Sequence, residues 1–598
     1  MHLGSIDWIV IAIYFAVNLG IGFYYSRRAS GDVGEFFLSG RSVSWWLAGT
    51  SMVATTFAAD TPLVVTGLVY RQGISGNWLW WTLALSGMMT VFFFAPLWRR
   101  SGVLTDMEFV EIRYAGKPAS FLRGFRAIYL VVVANIVTMG WVNLAMAKIL
   151  YLTLGIEKLT AVFLCLAVTL VYCTLSGMWA VLWTDLIQFV LKMSMVILLA
   201  WFAVEAAGGL GPLKMHIHAL DAASGHNSLA FLPSVGSDFF FPFLVLLSVN
   251  WWSTTYPGAE PGGGGYIAQR IFSAKDEKNS LGATLWFNVA HYALRPWPWI
   301  ITALVAIVLI PHPADPEGAY IEIMIRYLPA SLRGLMLAGF AAAYMSTIGT
   351  HLNLTASYLL NDVYRRFLKP HESDRHYVAV SRWATLLVAI GSAIATMQMK
   401  SIAGAWGFLM ALGAGAGLVF ILRWFWWRIS AWSEISALLG AALWSSLLQS
   451  RLALPLVGWL HGFDPMLPVE PLTSQNQNHA FAWLMIITTI LTTITWLTVT
   501  FLTRPEPRET LQMFYNRVRP AYPGWRPFAP PAASAQSSLL LSARLWVYGF
   551  AFIYCALFGT GQVLLGSAGL GAGLLVSAAL CAFLIFRTLE RCQWDIFK

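Results

Sequence analysis

Ser51-Met52-Val53-Ala54-Thr55-Thr56-Phe57-Ala58-Ala59-Asp60-Thr61-Pro62 sits in the middle of an otherwise apolar run, Trp45 to Tyr70. A simple bilayer-spanning helix does not tolerate such a centre. A carboxylate at mid-depth costs about 2.5–3.5 kcal/mol even on a lenient insertion scale, and Pro62 removes an amide donor and strains the turn before it. Broken, hydroxyl-rich backbone persists at that depth where it lines a cavity, which is how secondary transporters build ion and solute sites.

The rest of the chain agrees with a membrane setting. Its 598 residues are 58% hydrophobic, 15% aromatic and 11% charged, too apolar for a globule with a polar surface. The formal charge of +10 does not mark a nucleic-acid binder, because Lys and Arg fall in short clusters between apolar spans. Apolar stretches of bilayer length recur from 6–25 to 568–587, which predicts about fifteen helices. Arg27, Arg28, Arg41, the cluster Arg99–Arg126, the cluster Arg270–Lys278, the cluster Arg365–Arg382, Arg423, Arg428 and the cluster Arg504–Arg526 all fall on one side, which is then cytoplasmic. This predicts an amino terminus outside, a carboxy terminus inside and a place in a bacterial inner (plasma) membrane. The first apolar run lacks a basic leader and reads as an uncleaved helix. Cys165, Cys173, Cys555, Cys581 and Cys592 have no paired metal spacing and read as free thiols.

A second interrupted segment runs Ser248-Val249-Asn250-Trp251-Trp252-Ser253-Thr254-Thr255-Tyr256-Pro257-Gly258-Ala259-Glu260-Pro261-Gly262-Gly263-Gly264-Gly265-Tyr266. Its glycines lack the Gly-Lys-Ser/Thr ending of a phosphate loop. A plain turn between helices fits it as well as a functional break does. Two interrupted helices five spans apart point to inverted repeats with a site between them. The expected organisation is a leading helix and loop over 1–43, a first repeat over 44–207, a second over 208–430, trailing helices over 431–502, a cytoplasmic Pro/Arg-rich linker on the membrane surface over 503–542 and a terminal helix pair over 543–598.

Three motifs carry a family resemblance. Tyr172-Cys173-Thr174-Leu175-Ser176-Gly177-Met178-Trp179-Ala180-Val181-Leu182-Trp183-Thr184-Asp185-Leu186-Ile187-Gln188 resembles the signature of the sodium/solute symporter family, to which sodium/glucose, sodium/proline and sialic-acid symporters belong. Gln269-Arg270 resembles that family's cytoplasmic Gln-Arg, and Ala341 to Thr350, with Asn353 and Asp362-Val363-Tyr364 beyond, resembles its ninth helix. The resemblance implies an all-α integral membrane protein with a LeuT-type five-plus-five inverted repeat, one extra leading helix and several trailing ones.

It also implies site residues. The family's principal sodium site falls on the backbone carbonyls of Ala54 and Phe57 and on Ala343, Ser346 and Thr347. Sodium wants oxygen ligands, which an unwound helix and two consecutive hydroxyls supply; in a plain membrane helix such hydroxyls bond the preceding turn. Members with a second sodium hold it near residues matching Asp185 and Thr350, although Gly349 stands here where they carry a hydroxyl. Solute contacts map to Thr56, Asp60, Thr61, Asn77, Trp80, Asn143, Asn250 and Trp251. A sugar-carrying member has glutamine and glutamate where this chain has Thr61 and Trp80, so the solute stays open. His291 and Arg295, one turn apart, suit an anion or an ion pair with Glu260.

These readings predict a sodium-coupled symporter, not an enzyme, importing a small polar organic solute, a sugar or polyol first. The alternatives are a proton-coupled carrier using Asp60 or Asp185, or a sodium symporter for an amino acid or organic anion. The expected partners are the solute and the lipid bilayer, without nucleic acid.

Overall fold

The computed structural model describes residues 4–29, 38–173, 178–255, 262–474, 478–530 and 535–597. Among them the regular structure is helical, and the only extended pairings are isolated bridges, Val43 with Ala274 and Trp426 with Gly524. Ten of the described helices are long and apolar enough to cross a bilayer, or twelve when each of two bent pairs counts as one span. Three shorter apolar helices, Ser5–Val17, Lys158–Leu170 and Phe240–Ser253, fall below that length. Length and hydropathy therefore support ten to twelve spans, where the sequence reading counted about fifteen.

The run that opened the sequence reading is broken. A helix over Trp45–Thr56 stops at Phe57, whose φ of −89° and ψ of 63° leave the helical region. A second helix, Asp60–Gln72, resumes at an angle of 58° to the first. Pro62 falls in the first turn of that second helix, where amides have no intrahelical partner and a missing N–H costs little. The last carbonyls of the first piece are left without helical donors.

The second interrupted segment also ends a helix, Phe240–Ser253, before the chain resumes as Gly265–Ser273. Pro257, Glu260 and Pro261 lie outside the described residues, as does the Thr174–Gly177 part of the family motif. A third break was not foreseen, since 402–425 reads as one apolar span. Ile402–Leu412 and Ala416–Phe425 meet at 53°, around Gly415, which adopts a φ of +86° that favours glycine. This break docks on the second one: the Gly415 amide donates to the Ser253 carbonyl at 2.8 Å, satisfying an orphaned helix end.

Several long helices contain π-type turns, over Thr90–Phe94, Leu130–Asn135, Leu246–Asn250, Ala290–Leu294 and Tyr358–Leu368. Such turns shift a helix face and recur at functional sites. The one at Ala290–Leu294 carries His291 and leads into Arg295 and Pro296.

Within the 503–542 segment, expected to be a linker on the membrane surface, residues 508–528 pack against the core spans. Its helix Arg508–Val518 buries Leu511 and Phe514, Tyr522 donates to the Phe93 carbonyl at 2.8 Å and Trp525 to the Trp424 carbonyl at 2.7 Å. Aromatic side chains scattered among its prolines and arginines supply that anchorage. The final helices, Ala535–Leu565 and Ala568–Arg591, form a hairpin. Its first arm is stitched to two core spans: Trp546 donates to the Leu85 carbonyl, Tyr554 to the Trp81 carbonyl, and Trp297 to the Leu557 carbonyl, at 2.8–3.0 Å.

The junction of the second and third breaks depends on missing side chains. A Cβ at Gly417 would stand 2.5 Å from the Trp252 carbonyl oxygen and 2.8 Å from that of Ser253, and backbone cannot yield as a side-chain tip can. Gly417→Ala is expected to destabilise the protein by about 1–3 kcal/mol through overpacking. Gly339→Ala, with open space around it, is the control. Unfolding midpoints in detergent check this; equal midpoints for the two variants refute the close packing.

Candidate functional site

The unwound turn after Thr56 leaves carbonyls that must find donors. Two of them, of Ala54 and Phe57, accept from the Lys192 ammonium at 2.9 Å each. Lys192 is buried on the helix Met178–Ala206, with its ammonium 5.0 Å from the centre of the Phe57 ring. The other expected sodium ligands lie beside it. Thr347 donates to the carbonyls of Thr55 at 2.9 Å and Ala343 at 3.0 Å, tying the helix Ala330–Leu368 to the broken one. Ser346 donates to Asp185 Oδ1 at 2.6 Å.

Asp185, seven residues and about two turns before Lys192 on the same helix, uses both carboxylate oxygens: Oδ2 accepts from Ser51 at 2.6 Å. Arg270 donates from Nε to Ser51 Oγ at 3.3 Å and from Nη2 to Thr350 Oγ1 at 3.4 Å. The two residues matched to a second sodium, Asp185 and Thr350, are thus bridged through Ser51 and a buried guanidinium.

Next to this network is a cavity of about 70 Å³, room for several waters at 10–15 Å³ each. Thr56, Asp60, Thr61 and Trp80, four of the residues that the family resemblance maps to solute contacts, line it, together with Tyr266, His291, Arg295 and Trp406. Asp60 opens the second half of the broken helix, and its carboxylate is buried on the cavity wall. Arg295 donates from Nη1 to the Val53 carbonyl at 3.3 Å and to Thr56 Oγ1 at 3.2 Å, and its Nη2 bonds His291 Nδ1. His291 Nδ1 also lies 3.1 Å from Thr56 Oγ1. Trp80 stacks on Tyr292 at 5.9 Å.

The remaining expected solute residues do not line that cavity. Asn77 accepts from the Trp80 indole at 3.0 Å and so orients a wall residue. Asn143 links three helices, donating to Ser392 and Thr396 at 3.2 and 3.3 Å and accepting from Tyr344 at 2.7 Å. Asn250 is buried in the π-type turn of the second broken helix, and Trp251 packs on Trp546 at 5.7 Å. The sequence reading missed Lys192, Tyr266 and Trp406. Lys192 had a signal, since a lone ammonium inside an apolar span is expensive and rarely idle.

The sequence profile described as the sodium:solute symporter family matches residues 36–441. The chain belongs to that family. Its members are transporters, not enzymes, and membership supports sodium as the coupling ion and a multi-pass membrane setting. Among relatives, a sodium/glucose cotransporter of Vibrio parahaemolyticus is 27% identical over 71% of this chain and 81% of its own length. A human sodium/myo-inositol cotransporter 2 is 25% identical over 89% of this chain and 82% of its own. A solved Na+-coupled sialic acid symporter in a substrate-bound outward-open state superposes with a TM-score of 0.63 at 19% identity, covering 84% of this symporter and 99% of that chain, which establishes the shared fold.

In this symporter the Ser51–Asp185–Ser346 link joins three helices. Ser346→Ala or Ser51→Ala each leaves a buried carboxylate oxygen without its donor, a loss of about 1–3 kcal/mol. Because both bonds converge on one carboxylate, the double variant is expected to depart from additivity by at least about 0.5 kcal/mol. Unfolding free energies of the four proteins test this; strict additivity refutes a shared network.

Proposed function

We propose that this symporter carries a small polar organic solute, a sugar or polyol first, by alternating access, with Asp60 as the principal acceptor for solute hydroxyls. The observation that carries the reading is the buried Asp60 carboxylate on the wall of a small cavity at the break of a membrane helix. A carboxylate has more acceptor positions than these surroundings fill, and hydrogen bonds from solute hydroxyls to a charged group are among the stronger ones. Trp80 and Tyr292 offer an aromatic wall, and Thr56 and Thr61 offer further hydroxyls. The sugar and inositol relatives support the same class.

A second reading rests on Arg295 and His291, which line the same cavity. A solute bearing a carboxylate would meet a guanidinium there, the planar donor suited to that group. The proposed architecture pairs the two broken helices as the openings of inverted five-helix repeats, over 44–207 and 208–430. The proposed setting is a bacterial inner membrane with the amino terminus outside.

Solute closes the outer path in this account only by binding the occluded state better than the open one, since a ligand shifts states by its differential affinity alone. A thermal-shift screen of the purified protein against sugars, polyols, amino acids and carboxylates identifies the class, because a ligand of the native state raises its midpoint by mass action. Asp60→Asn is then expected to weaken binding of the active solute by about ten- to hundredfold, the worth of one hydrogen bond to a charged group, while the unfolding midpoint without solute stays close to that of the parent. Unchanged solute affinity in a folded Asp60→Asn protein places the solute elsewhere.

A further inference from the structure

The five groups expected to hold sodium stand together, yet each is engaged by the protein itself. The carbonyls of Ala54 and Phe57 accept from Lys192, the Ala343 carbonyl accepts from Thr347, whose hydroxyl also reaches Thr55, and Ser346 is turned to Asp185. The donor set has the right chemistry for a hard cation, but the Lys192 nitrogen already stands on two of its oxygens. We propose that the Lys192 ammonium is a tethered cation at the ion position between the broken helix and the Ala330–Leu368 helix, and that sodium and charged Lys192 exclude one another there.

Three observations carry this. The ammonium sits at ordinary hydrogen-bond length from two carbonyls that converge on it at the unwound turn, the geometry a bound cation would use. Lys192 is buried, so it is not a surface side chain caught in passing. Its long stem starts two turns beyond Asp185 on the same helix, and the ammonium lies within electrostatic reach of Asp185 and of Arg295. Sodium entering between these carbonyls would meet one positive charge at contact range and another close by, in a setting where water screens little. The inference rests on the symporter reading only in taking Ala54 and Phe57 as the ion position.

A plain structural role is the competitor, because a cation near the carbonyl end of a helix is stabilising in any protein. The two differ in what sodium does. The full-length protein in detergent is heated over a series of sodium chloride concentrations, with choline chloride holding the ionic strength. Lys192→Ala, which clears the position, is expected to gain a sodium-dependent rise in unfolding midpoint with a half-saturating concentration at least tenfold below that of the parent. Lys192→Ser, whose hydroxyl can join the ion's shell, is expected to do the same and serves if the alanine variant folds poorly. Variants that respond to sodium no better than the parent overturn the proposal and leave Lys192 as a helix cap. Equilibrium binding of radioactive sodium to the unmodified chain is the second measurement, and tight saturable binding that Thr347→Ala abolishes also overturns it. Neither readout requires uptake, so a protein that carries no solute yet shows the sodium contrast fails the transport reading and upholds this one.

Discussion

Everything at the centre of this molecule depends on how one broken helix finds donors for the carbonyls it exposes. In hydrocarbon an unpaired backbone group costs several kcal/mol, so the turn at Phe57 exists only because Lys192, Thr347 and Arg295 reach it from three other helices. The break is therefore a junction as much as a gap. Its geometry holds the Met178–Ala206, Glu277–Leu309 and Ala330–Leu368 helices in register, and the cavity beside it is the space these contacts leave.

Charge is distributed around that junction with little waste. Asp60 and Asp185 are buried together with Lys192, Arg270 and Arg295, a set that would be prohibitive if any member stood alone. Each cation is spread over carbonyls, hydroxyls or aromatic faces: Arg295 lies 5.6 Å from the Phe57 ring and 5.2 Å from that of Trp299. With three positive groups against two carboxylates, the formal balance of this set is one positive charge. A chain of this class has thus placed fixed cations where mobile ions and solutes are expected to act, and that is the feature that sets it apart from a bare arrangement of hydroxyls.

Much of this was legible in the residues. Asp60 and Pro62 announced the first break because each is costly at bilayer depth, and Thr56, Thr61 and Trp80 came with the family resemblance rather than from spacing. The third break stayed hidden: Gly413 and Gly415 lie in an apolar run, and glycine alone does not separate a kink from a close helix contact. Asn143 and Asn250 have the chemistry of solute ligands, but only the fold shows that Asn143 spends its amide on two neighbouring helices. Lys192 was visible as an oddity. Its target was not, because the reach of a lysine across a helix interface is a property of packing rather than of spacing.

The carboxy-terminal hairpin carries a mechanical consequence. Its first arm bonds at Leu557 to Trp297 and at Trp546 and Tyr554 to Leu85 and Trp81, and so bridges the Ile74–Ser101 and Glu277–Leu309 spans, which bring Trp80, His291 and Arg295 to the cavity. Those two walls are splinted on their outer side. Any motion that parts them must peel the hairpin away, whereas the Ala330–Leu368 helix is tied to the broken one by the bond from the Thr347 hydroxyl to the Thr55 carbonyl.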